Sequence, residues 1–148
     1  MQLDDFKTIA AKYKVIFFDA FGVLKNYEGL LPGIEHTFSW LQSTGKDFYI
    51  LTNDASRSPQ ELAESYQRAG SYAITPDRII SSGMLAREYL DLKVHHGTVA
   101  YLGTESSAHY LETADLRTLP ISQVDLADVA DINALVLLDD EGFDWNTD

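Results

Sequence analysis

Apolar residues in this chain gather into short runs separated by stretches where they recur every three or four positions. Val15 to Phe18 is wholly apolar, the pattern of a strand covered on both faces, as in a parallel sheet. Phe48–Leu51, Ile79–Ile80, Thr98–Leu102 and Ala134–Leu138 read as four further strands. Between them lie helical spacings. Leu3, Phe6, Ile9 and Ala10 predict an opening helix within Leu3–Tyr13. After the GLLPG break at 29–33, Ile34, Phe38 and Leu41 predict a helix that Gly45 ends. Ser58-Pro59-Gln60-Glu61 joins a Ser cap, a Pro at the first helical position and a Glu three residues after the cap, so a helix runs to about Ala69. Ser81-Ser82-Gly83 opens another helix through Leu90, and Ser106–Leu111 a further one. Strands alternating with helices predict an α/β fold with a mainly parallel sheet.

The 148 residues suffice for one ordinary core, so one domain, or one and a fraction, is expected. Lys93–Gly97 (KVHHG) is a polar break after which a new strand-helix-strand unit begins. The last strand is followed by LLDDEGFDWNTD with no closing helix, the pattern of an interrupted domain. A formal charge of −12 repels polyanions and argues against nucleic acid as a partner. With no cysteine, disulfides and thiolate metal sites are excluded and a cytoplasmic location is the default expectation. Neither a signal peptide nor an apolar stretch of membrane-spanning length is legible.

The first strand runs directly into a carboxylate, Asp19, and the chain leaves it through Phe21 and Gly22. In open parallel sheets ligands bind beyond the carboxyl ends of the strands. Gly22 lets backbone N–H groups approach an anion. Thr52-Asn53-Asp54, after the second apolar run, adds a hydroxyl and an amide. Together these form a plausible phosphoryl site. The same Asp19 also fits a plain turn former or helix cap, and the residues alone leave both readings open.

FFDAFGVL followed by LLPGIEHTFSWLQSTGKDFYILTNDASRS resembles the haloacid dehalogenase-like (HAD) hydrolases, specifically their class IIA sugar-phosphatase and nitrophenyl-phosphatase-like branch. The resemblance covers about residues 13–103, and ALVLLDDEGFDW continues it more loosely. It implies a Rossmann-like three-layer sandwich, with residues 1–96 the amino-terminal part of the core and 97–148 the beginning of an inserted α/β cap. It makes Asp19 the nucleophile that forms an aspartyl-phosphate. The Phe21 carbonyl would join Asp19 in holding Mg²⁺, while Phe21, Gly22, Thr52, Asn53 and Asp54 would surround the phosphoryl group of a small phosphate ester. Phosphatases of the family usually carry a second aspartate where Phe21 stands, as general acid and base, a role worth about 10²- to 10⁴-fold.

Haloacid dehalogenases carry an aromatic residue there, which offers a rival chemistry of carbon attack and halide displacement. A third reading is a catalytically silent protein that binds phosphate or a partner. The family's downstream lysine and acidic pair are not found in residues 55–148, so weak Mg²⁺ binding and little or no activity are expected of this chain alone. It reads as the amino-terminal half of a hydrolase. Substrate identity would rest mainly with the cap, and an unfinished sheet edge invites association into a homo-oligomer.

Asp54 could stand in for the missing acid, although its ordinary role is an Asx turn. His95-His96 point in different directions on either a helix or a strand and read as a solvated loop. Asp139, Asp140, Glu141 and Asp144 lack EF-hand spacing and read as an acidic surface. Arg57 fits either a substrate contact or an ion pair, and Trp40 and Trp145 fit packing roles.

Overall fold

The computed structural model describes residues 5–112, 115–127, 129–140, 142 and 144. Leu3, Glu141 and Trp145 lie outside them. The fold is mixed α/β with parallel strand pairing, as the alternation of runs and periods predicted. Contacts divide the chain into two compact units, one of Met1–Thr52 with Pro59–Ile80, the other of Asn53–Ser58 with Ser81–Asp148.

In the first unit, β1 (Val15–Asp19) pairs in parallel with β4 (Asp47–Thr52), and β5 (Ile79–Ser81) completes the order β1-β4-β5. A small antiparallel hairpin of β2 (Lys25–Asn26) and β3 (Gly29–Leu30) occupies ground read from sequence as a simple break. The helices are α1 (Phe6–Ala10), α2 (Ile34–Ser43) and α3 (Pro59–Arg68). Phe38 and Leu41 are the buried residues of α2, as their spacing predicted. Gly45 stops that helix through a Schellman pair: its N–H donates to the Gln42 carbonyl, and the Lys46 N–H donates to the Leu41 carbonyl. Gly45 holds φ at +66°, a conformation costly for any residue with a Cβ.

The core of this unit is aromatic. Phe38 stacks on Phe48 at 4.4 Å, and Phe18 meets Phe38 edge-on at 5.6 Å. Ile50, Leu62, Tyr66, Ile74 and Ile79 close around them. The opposite face of the sheet differs from expectation. Val15, Phe17 and Leu51 are 41%, 57% and 50% exposed, so β1 is covered on one face rather than two. The reason is strand alternation, which sends Phe18 and Phe48 into the cluster shared with α2 and α3 and turns Phe17 and Leu51 the other way.

In the second unit, α4 (Ser82–Lys93) precedes a parallel sheet of order β7-β6-β8, made of β6 (Gly97–Leu102), β7 (Leu116–Pro120) and β8 (Ile132–Leu137). β7 is a strand the hydrophobic pattern missed. The helix expected at Ser106–Leu111 is a tight 3₁₀ turn, Ser107–Leu111. Val99, Tyr101, Leu90, Tyr110 and Leu111 form the core with Ala55, which comes from the early 53–58 segment. Three hydrogen bonds hold that segment in place: Thr104 Oγ1 donates to the Ser56 carbonyl at 2.8 Å, Ser82 Oγ to the Asn53 carbonyl at 2.8 Å, and the Tyr110 hydroxyl to the Arg57 carbonyl at 2.9 Å. Gly83 leaves room for the Tyr110 ring, which a Cβ at that position would penetrate.

Candidate active site

β1 carries Asp19 to the carboxyl end of the first unit's sheet, opposite Leu51 on β4. Thr52, the last residue of β4, is the next position on the neighbouring strand. The two strand ends therefore bring a carboxylate and a hydroxyl-bearing residue side by side. Asp19 is exposed, and its Oδ1 accepts a hydrogen bond from the Ala20 N–H at 2.7 Å. This orients the carboxylate without sequestering it from solvent.

The following loop is built on backbone bonds. The Ala20 carbonyl accepts from the N–H groups of Leu24 at 2.9 Å and Lys25 at 3.1 Å. Leu24 is fully buried and anchors the turn. Gly22 holds φ at +83°, and its N–H donates to the Lys25 carbonyl at 2.7 Å. What the glycine gives the loop is thus a conformation, with its own N–H already engaged. Phe21 is half exposed, and its ring meets Tyr27 edge-to-face at 4.8 Å. Tyr27 went unnoticed in the sequence because the hairpin that folds it back toward Phe21 has only two residues per strand. The cue was Asn26, whose Oδ1 accepts from the Glu28 N–H in an Asx turn.

Asn53 and Asp54 belong to the second unit. The Asp54 Oδ1 accepts from the Ser56 N–H at 3.1 Å and the Ser56 hydroxyl at 2.6 Å, so this carboxylate orders its own loop. Arg57 is exposed, as are His95 and His96, and His95 holds φ at 60° in the turn before β6. Trp40 packs, with its ring 6.3 Å from that of Phe6.

Asp19 and the Phe21 carbonyl are hard oxygen donors, the kind Mg²⁺ takes. Among the described residues no three His, Asp or Glu side chains gather to hold a metal. The donors fit Mg²⁺ in kind. Among the described residues no helix is long and apolar enough to cross a membrane.

A strand-end aspartate, a glycine turn and a second strand ending in threonine are features of a known hydrolase class. The chain belongs to the haloacid dehalogenase-like hydrolases, whose family model matches residues 16–117. It is similar to phosphoglycolate phosphatase 2 of Arabidopsis thaliana, 33% identical over 58% of this chain and 29% of the relative. A solved protein from Cytophaga hutchinsonii, described as a "possible sugar phosphatase" of the HAD superfamily, is 60% identical with a TM-score of 0.92, over 99% of this chain and 51% of that one. The fold is also similar to a glycerol phosphate phosphatase of Mycobacterium tuberculosis solved in complex with magnesium, 21% identical with a TM-score of 0.75, over 94% of this chain and 40% of that one. The chain thus spans about half the length of these solved relatives and less of the Arabidopsis phosphatase.

Proposed function

We propose that the chain carries the nucleophile-bearing part of a phosphatase acting on a small phosphate ester, of the sugar-phosphatase type. The supporting observation is Asp19, oriented by the Ala20 N–H at an exposed strand end beside Thr52. An Asp19 oxygen forms a bond to phosphorus as the ester P–O bond breaks, giving an aspartyl-phosphate that water then hydrolyses. Thr52 steadies the phosphoryl oxygens through its hydroxyl. Gly22 and Phe21 shape the turn beneath. Mg²⁺, held by the Asp19 carboxylate and the Phe21 carbonyl, would supply charge neutralisation to those oxygens. Phe21 has no proton to give, so the departing alkoxide takes its proton from solvent and turnover is slow. Residues 1–96 serve as the amino-terminal part of the core and 97–148 as the first part of a cap. The cysteine-free sequence supports a cytoplasmic protein, and the exposed face of the first sheet supports homo-oligomers.

A second reading is a silent phosphate-binding protein, favoured by the half-exposed Phe21 ring. Phosphate release from 4-nitrophenyl phosphate and from hexose phosphates, with Mg²⁺, tests the first. Release that disappears in Asp19→Asn is expected. Phosphate binding without release would favour the second reading, and halide release from a 2-haloacid would replace both.

A further inference from the structure

We propose that the second unit carries a ligand site of its own: a pocket at the carboxyl end of its sheet that takes a neutral, hydroxyl-rich small molecule such as a monosaccharide. It is independent of Asp19 and of the hydrolase reading. β6 is the central strand, and the chain goes to one side of it for β7 and to the other for β8. That is a topological switch point, and open parallel sheets place ligands beyond the carboxyl ends of the strands at such points.

A cavity of about 410 Å³ lies there, lined by Tyr101, Gly103, Glu105, Pro120, Gln123 and Gly142. Its size is within the range of about 300–1,000 Å³ typical of small-molecule sites. Tyr101 and Pro120 are register partners on β6 and β7, so the floor is rigid sheet. Part of the wall is bare backbone, because a side chain at Gly142 would collide with the Gly103 carbonyl.

Among the described residues the lining offers a phenol hydroxyl, a carboxylate and a primary amide, of which the carboxylate only accepts and the other two both donate and accept. Burial, followed by the charge of Glu105, pushes the Tyr101 phenol above its ordinary pKa, so it keeps its proton and donates. Glu105 accepts, and the Gln123 amide does both. A hydroxyl group also does both and can answer all three. A phosphate is an anion and is repelled by Glu105, while an ammonium only donates and gives the Gln123 N–H groups no acceptor.

The test is an amide NMR titration of the full chain with D-glucose, glycerol and inorganic phosphate. Saturable shifts of Gly103, Glu105 and Gln123 with D-glucose or glycerol are expected, and none with phosphate. Glu105→Gln, which keeps the side-chain shape, and Gln123→Ala should each weaken that binding by about tenfold. Shifts of these amides by phosphate, no saturable shift with either polyol, or unchanged affinity in both variants would overturn the proposal.

Discussion

β1 and β6 are written in the same apolar language, yet they occupy different physical situations. In β6 three successive residues, Val99, Ala100 and Tyr101, are at most 7% exposed, because strands flank it on both sides and side chains cover both faces. In β1 burial alternates, with Phe18 at 8% and Phe17 at 57%. An apolar run therefore reports that a segment is a strand. It does not report how many of its faces are covered, which depends on elements distant in sequence.

The largest effect that can sharpen this comparison comes from the two faces of the first sheet. Phe48→Ala, which empties a stacked position on the covered face, should lower the unfolding free energy by about 3–5 kcal/mol. Phe17→Ala, on the exposed face and stacked on Tyr49, should cost about 1 kcal/mol. Urea unfolding followed by circular dichroism measures both, and equal losses would break the distinction. In the second unit, Tyr110→Phe removes a hydroxyl that accepts from Ser81 Oγ at 2.6 Å and donates to the Arg57 carbonyl at 2.9 Å. A loss of about 1–3 kcal/mol follows, with faster amide exchange confined first to residues 53–58.

The smallest effect is a pH dependence. Because the Tyr101 pKa is raised on folding, its contribution is fully present below the unfolded value of 10.0 and is lost as pH rises through the folded value. Urea midpoints between about pH 8 and 11 should fall less steeply in Tyr101→Phe than in the native chain.

Much of the fold was legible where local chemistry is decisive. The spacing of Ile34, Phe38 and Leu41 with the stop at Gly45, and the Ser58-Pro59 start, depend on contacts within one or two turns. β7 was not legible, because Arg117 and Thr118 interrupt its apolar character and only pairing with β6 makes it a strand. At the candidate site, Asp19 stood out as a charge closing an apolar run. The Phe21–Tyr27 pair did not, since a two-residue hairpin leaves no periodicity to read. The passage of residues 53–58 into the second unit carries no compositional mark either.

That passage bears on how the gene can be cut. The second unit draws Ala55 into its core and the carbonyls of Asn53, Ser56 and Arg57 into its hydrogen bonds from a stretch that precedes α3, a helix of the first. No single contiguous reading frame contains one unit whole without a piece of the other, since 1–80 carries 53–58 with it and 53–148 carries 59–80. A clone beginning at Ser81 would omit a core residue and three bond acceptors, so modular excision at that point yields a unit missing a piece of itself.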